Sequence, residues 1–224
     1  MGTAKRNLAT RTAKIIQKLR RTYPDACCAL RHENPLQLLV STILSAQCTD
    51  KRVNMVTPAL FKKYRTAADF AAAPQRELET MIHSTGFFRS KARSIRNCCR
   101  AIVERRDGRV PDTLDELIQL DGIGRKTANV VLGVAYGKAE GVVVDTHVAR
   151  LSRRMGLTRQ RTPEKIEQAL MKTVPREDWM DFSHLLIWHG RKRCNARKPD
   201  CDHCEVRDMC PKVGIPRTNT NARE

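Results

Sequence analysis

The chain has 224 residues, 41% of them hydrophobic, which is long and apolar enough for a sizeable core and excludes a disordered polyelectrolyte. Lys and Arg total 42 against 24 Asp and Glu, giving a net charge of +18 and a pI near 10. A polyanionic partner explains such a surplus, nucleic acid ahead of an acidic membrane surface, and no apolar run approaches the length of a transmembrane helix.

The first stretch, MGTAKRNLATRTAKIIQKLRR, carries seven basic residues and no acidic one. It lacks the apolar centre of a secretory signal, and Arg6 stands where myristoylation requires Ser or Thr. It reads as a short basic arm entering an amphipathic helix with Ile15, Ile16 and Leu19 on one face, a transit peptide being the alternative. Beyond it, apolar residues recur at three and four spacing and no long stretch alternates with period two, so the expected fold class is all-α. Leu36, Leu38, Leu39, Ile43 and Leu44 define a helix with Pro35 early in it. Pro58 is expected near the start of the next, and Leu78, Met81 and Ile82 mark a third. A fourth runs from Ser90 to Arg105, a fifth carries Leu114, Leu117, Ile118 and Leu120, and a sixth spans Thr127 to Tyr136, stopped by Gly137. Val142-Val143-Val144 is the one strand-like fragment and is too short to found a sheet.

Two segments repeat a pattern. Met81 to Ala92 aligns with Leu117 to Ala128, each reading as helix, glycine turn, basic residue, helix. The second has a further glycine at 124 where the first has Phe88, an aromatic expected in the turn. Gly122-Ile123-Gly124 supplies a turn that can take positive φ and approach a ligand closely, with Ile123 plugging the core between helices. Its N–H groups and those of the following helix start form an anion site suited to a backbone phosphate. The run Leu-x-Gly-x-Gly-x-Lys-Thr-Ala is a helix-hairpin-helix signature. Position alone leaves Lys126, beside Arg125, as a solvated charge, a phosphate anchor or a nucleophile. Asp145, before Thr-His-Val-Ala-Arg, is a good N-cap for a helix running through Leu151.

Nine cysteines invite a disulfide scaffold, yet Cys27-Cys28 and Cys98-Cys99 are adjacent pairs and the count is odd. Cys98 and Cys99 fall in a helical pattern with Ile95, Ile102 and Val103, as small buried hydrophobes in a reducing interior would. Cys194-x6-Cys201-x2-Cys204-x5-Cys210 is different: four thiolates within 17 residues can wrap one metal centre, zinc or iron–sulfur. One close pair flanked by longer spacers fits a cubane cluster better than the two close pairs usual in zinc ribbons. The loop between the first two cysteines carries Arg197 and Lys198, so the metal would present basic charge to phosphates.

Together the stretches LSAQCTD, LDGIGRKTANVV and VVVDTHVAR and the four-cysteine loop resemble the endonuclease III family of bifunctional DNA glycosylases and AP lyases, over about Tyr23 to Pro211. The resemblance implies two helical domains with DNA and active site between them: a six-helix barrel at 28–138 holding the hairpin, and a cluster domain from 1–27 and 139–212, followed by a flexible tail at 213–224. It implies a 4Fe-4S cluster on Cys194, Cys201, Cys204 and Cys210, and places the family's lysine nucleophile on Lys126 and its catalytic aspartate on Asp145. A glycosylase must flip its target out of the stack. A neutral amine at a helix start can then displace the base and form a Schiff base, whose β-elimination breaks the strand, while a carboxylate stabilises positive charge at the sugar.

Gln47 matches the residue that fills the gap left by the flipped nucleotide, and Phe87 or Phe88 the wedge opposite, commonly Leu in the family. Cys48 departs from the Ala or Thr often found there, Asp50 matches a family position, and His147 and Arg150 are supporting residues. The expected substrate is double-stranded DNA bearing oxidised pyrimidines such as thymine glycol, or abasic sites, handled by a monomer without a membrane partner. The bacterial cytoplasm is the expected location, or nucleus or mitochondrion in a eukaryote. Mismatch-specific glycosylases of the same superfamily and a non-catalytic DNA-binding scaffold are the alternatives. Adenine-mismatch enzymes generally lack the hairpin lysine, and docking alone needs no pairing of Lys126 with Asp145.

Overall fold

The computed structural model describes residues 3–215, among which there are eleven α-helices and no strand. The chain is all-α. It divides into two compact units, one formed by Cys28–Glu140 and the other joining the described residues up to Cys27 with those from Gly141 onward.

In the Cys28–Glu140 unit, α2 (Pro35–Ser45) is the most deeply embedded helix, with every residue from Leu38 to Leu44 buried. Asn34 caps it by accepting from the Gln37 N–H at 3.0 Å, and Pro35 occupies the first turn, where its missing N–H costs nothing. α3 (Asp50–Lys63) begins at a Thr49 cap, so Pro58 lies inside it and not near its start. The Thr49 hydroxyl, accepting from Arg52, sets the helix start two turns earlier, and the proline removes only the bond to the Asn54 carbonyl. α4 (Ala67–Ala72) has no counterpart in the apolar spacing; Thr66 and Asp69 start it with a reciprocal capping box. α5 (Gln75–Ile82) leads through a short 3₁₀ turn at His83–Thr85 into α6 (Phe88–Arg106). Phe88 is therefore the first residue of a helix and not a turn aromatic, its ring 4.5 Å from that of His83. Helix α7 (Leu114–Leu117) is a single turn, shorter than the expected fifth helix because the chain turns to seat Leu120 and Ile123 in the core while Ile118 stays 44% exposed. α8 (Arg125–Tyr136) ends at Gly137 in the left-handed conformation.

α6 packs against α4 and α5, and α2 against α3, α6 and α8. The core collects Leu39, Leu44, Leu60, Phe70, Leu78, Ile82, Ile95, Ile102 and Val131. Cys98 and Cys99 are buried there, and burial pushes the Cys98 thiol up to about 12, which keeps it a neutral hydrophobe.

The second unit contains α1 (Thr3–Thr22), α9 (Thr146–Arg154), α10 (Pro163–Leu170) and α11 (Trp179–Lys192), with α11 packed against both α1 and α9. Ile15, Ile16 and Leu19 are buried, as are Val148 and Leu151 of α9 and Phe182, Leu185 and Leu186 of α11. Arg11 gathers three carbonyls, those of Met155 and Met209 at 2.7 Å and Gly156 at 3.1 Å, and so fastens α1 to two distant turns. Val142 to Val144 are buried without regular structure, their apolar side chains sealing the core with no partner strand among the described residues. The expected tail begins tied down, the Val213 N–H donating to the Arg154 carbonyl at 2.9 Å. Residues 216–224 of that tail and 1–2 of the basic arm lie outside the described residues.

Candidate functional site

The turn between α7 and α8 treats its two glycines differently. Gly122 sits at φ 78°, and a Cβ there would lie 2.9 Å from the Ser94 Cβ, so both backbone and space require glycine. Ile123 is buried as a plug, 5% exposed. Gly124 is the N-cap of α8 in ordinary extended backbone at φ −89°, so the expected positive φ belongs to Gly122 alone. A Cβ on Gly124 would meet nothing within 4 Å, and no side chain caps the helix. α8 therefore presents bare N–H groups and open space at its positive end. Lys126 is the second residue of α8, exposed, with no hydrogen-bond or ion-pair partner among the described residues. Arg125 precedes it, also exposed.

In the first hairpin the equivalent of Ile123 is Phe87, and it points the other way. Phe87 is left-handed at φ 47° and 66% exposed, which rules out a residue sealing the core. Phe88 instead is half-buried against the core. Gln47, just past the end of α2, is likewise exposed and left-handed at φ 53°. Two non-glycine residues thus hold a sparsely populated conformation, each at a position singled out from the sequence.

In the other unit Asp145 caps α9, its Oδ1 accepting the Val148 N–H at 2.8 Å. The side chain is half-buried. His147 is neutralised by burial, which pushes its pKa down against the opposing pull of Asp145. Arg150 donates to the His147 Nδ1 at 3.2 Å and to the Gly190 and Cys194 carbonyls at 3.3 and 3.1 Å. Arg154 reaches the Asn195 and Ala196 carbonyls, both at 2.7 Å, and the Cys194 Sγ at 3.4 Å. The helix that Asp145 starts is therefore bolted to the cysteine loop, immediately before the exposed Arg197 and Lys198. Arg154 was not among the residues the sequence singles out, although His147, Arg150 and Arg154 share one face of α9 by their spacing.

None of the four tail cysteines is in a disulfide. All four line one pocket, together with His189, Arg193 and Val206. Arg193 staples its wall through Asp200 at 2.7 Å and Glu205 at 3.1 Å. His189 is fully buried and its pKa is pushed down to about 4 by burial, so the ring is neutral. The Tyr23 hydroxyl, raised to about 12, lies 3.0 Å from Nδ1, and Nε2 lies 3.5 Å from the Cys204 Sγ, so the tautomer with its proton on Nε2 accepts from the hydroxyl and faces the sulfur. The Arg154 guanidinium and, in that tautomer, the His189 Nε2–H face cysteine sulfurs, an arrangement that stabilises thiolates bound to metal.

Residues 40–176 match the HhH-GPD superfamily of base excision DNA repair proteins. The chain is 53% identical to endonuclease III of Synechocystis sp. over 203 residues, covering 91% of this chain and 93% of that protein. It is 44% identical to endonuclease III of Bacillus subtilis, covering 87% and 89%. Two solved endonuclease III complexes with DNA, one non-covalent and one trapped as a covalent intermediate, superpose with a TM-score of 0.86 at 42% identity, over 95% of this chain and 97% of theirs. The chain belongs to the endonuclease III family. Membership makes it a DNA glycosylase with AP lyase activity in base excision repair.

The two glycines separate on substitution. Gly122→Ala meets both a left-handed backbone and Ser94 and should cost about 2 kcal/mol or more in urea unfolding. Gly124→Ala should cost less than about 1 kcal/mol. Equal losses would contradict this account of the turn.

Proposed function

We propose that the protein removes oxidised pyrimidines from double-stranded DNA and cleaves the resulting abasic site, with Lys126 as nucleophile and Asp145 as its electrostatic and proton-transferring counterpart. The observation that carries this reading is the exposed, unpartnered Lys126 at the bare start of α8. A phosphate seated on the Gly124 side of that helix start brings the sugar of a neighbouring flipped nucleotide within range of a lysine in the first turn. The Lys126 amine attacks C1′, the glycosidic bond breaks, and the base leaves with the electron pair and a proton. The ring opens to an imine between Nζ and C1′. Loss of the C2′ proton expels the 3′ phosphate oxygen, and water then hydrolyses the imine to free the lysine. Asp145 uses one oxygen to cap α9 and keeps the other for the positive charge that develops at the sugar. A 42%-identical endonuclease III was captured covalently on DNA, which supports a covalent route here.

Gln47 and Phe87, exposed on neighbouring left-handed turns of one unit, are the side chains that enter the duplex, Phe87 as the apolar wedge. Phe88, its neighbour, packs on the core. The two units correspond to the family's barrel and cluster domains, and Arg197 and Lys198 contribute phosphate contacts from the cysteine loop.

Cys194, Cys201, Cys204 and Cys210 fit a 4Fe-4S cluster. Burial pushes the Cys204 thiol up to about 11, so thiolates in this pocket call for a cationic partner. Four thiolates on one zinc stand about 3.8 Å apart. Among the described residues the only group of three metal-ligand side chains that converges within 4.8 Å is His189, Cys204 and Glu205. Membership in the endonuclease III family supports a cluster over a single zinc. When bound, the cluster supplies a rigid centre that fixes the loop carrying Arg197 and Lys198.

On a duplex with one thymine glycol, Lys126→Gln should lose strand cleavage by about 10³-fold or more. Asp145→Asn should lower turnover by about 10²-fold or more while the melting temperature barely moves, because Asn caps a helix as well as Asp. Cleavage by Lys126→Gln at the wild-type rate would refute the assignment. The purified protein should be brown with four irons per chain, and Cys204→Ala should lose that colour; a colourless, zinc-containing protein would overturn the cluster.

A further inference from the structure

Lys91 is a lysine that the chemistry above does not use, and its placement is costly. It lies in the first turn of α6, 5% exposed, inside the core of the Cys28–Glu140 unit. Its ammonium donates to the Leu44 carbonyl and to the Thr85 carbonyl, each at 2.8 Å. Burial pushes its pKa below the usual lysine value, with Cys48 opposing the shift. A buried charge of this kind persists only where it is hydrogen-bonded, as here by the two carbonyls.

The identity of those partners is informative. Leu44 is in the last turn of α2, three residues before Gln47. Thr85 closes the 3₁₀ turn, two residues before Phe87. The backbone N–H of Lys91 itself bonds to the Phe87 carbonyl at 3.0 Å. One side chain therefore joins the roots of the only two loops in this unit, among its described residues, where a non-glycine in the left-handed conformation is exposed beside a helix end and assigned to the duplex. The remaining left-handed residue of the unit, Asp107, follows the far end of α6. Strained residues stay in place only where surrounding contacts over-determine them. Neither loop has a side-chain cap of its own at Phe87 or Ala46.

We propose that Lys91 is a positioning residue that locks the Gln47 loop to the Phe87 loop, so that the gap-filling and wedging side chains enter damaged DNA as one unit. This rests on the reading of Gln47 and Phe87 as the residues that enter the duplex. Lys91 touches neither DNA nor reacting atoms. It acts by clamping two carbonyls, and the ammonium is what the clamp needs: methionine fills the same channel but donates nothing.

The test is a double-mutant cycle on binding to a duplex holding a non-cleavable tetrahydrofuran abasic site, read by fluorescence anisotropy. Gln47→Ala, Phe87→Ala and the double variant are compared in the wild-type and Lys91→Met backgrounds. In the wild-type background each single variant should weaken binding, and the double should fall short of the product of the two by about fivefold, the signature of coupled residues. In the Lys91→Met background the two effects should multiply, the coupling factor falling to about one. A loss of stability alone would leave that factor unchanged. Coupling that survives in Lys91→Met overturns the proposal. So does simple multiplication in the wild-type background, a result that needs no Lys91 variant and stands even if Lys91→Met does not fold. If neither Gln47→Ala nor Phe87→Ala weakens binding, the assignment of the two loops to DNA has failed, and the clamp has nothing to position.

Discussion

The seating of Ile123 in the core is the contact on which the hairpin depends. Held there, it forces the chain through a left-handed Gly122 wedged on Ser94, and it delivers Gly124 to the head of α8. A helix that starts on glycine has no side chain to quench its first N–H groups, so the positive end of α8 stays open. Lys126 is then exposed at that end as a matter of helix phase: Ala128, Val131 and Leu132 face inward, and the second position of the helix cannot. The grip and the nucleophile proposed for this turn thus both depend on one buried isoleucine. The first hairpin inverts the arrangement. Its turn places Phe87 outward at the position where Ile123 points inward, which suits the side-chain wedge proposed for it.

The second unit applies a different principle, in which arginines bind backbone carbonyls and side-chain carboxylates. Arg150 and Arg154 on α9 and Arg193 at the end of α11 hold the residues around Cys194 and the wall from Asp200 to Glu205. Guanidinium groups suit this because their planar fork of donors can satisfy several carbonyls at once without an acceptor of its own to bury. The result joins Asp145, through the helix it caps, to the cysteine pocket. Loss of the proposed cluster from that pocket would therefore be felt along α9 as well as in the exposed Arg197 and Lys198.

What could be read from the sequence was whatever residue identity alone decides. Glycine at 122, thiols at 194, 201, 204 and 210, and a capping aspartate at 145 are each suited to few roles, and the apolar spacing of α2, α6 and α8 is long and regular. What could not be read depends on neighbours distant in the chain. Pro58 looks like a helix start until the Thr49 hydroxyl is seen to cap two turns earlier. α4 is only six residues, too short for a period, and it is held by the Thr66–Asp69 box. Arg154 finds its carbonyl partner 41 residues away, and Lys91 passes for one more positive charge in a basic chain until its burial is known.

The central claim is that Lys126 forms the covalent bond to DNA. Borohydride reduction of the protein on an oxidised-pyrimidine duplex, followed by proteolysis and mass spectrometry of the nucleotide-bearing peptide, locates that bond directly. The account predicts the adduct on the Lys126 side chain. An adduct on any other amine, or none at all from protein that cleaves the duplex, would contradict it.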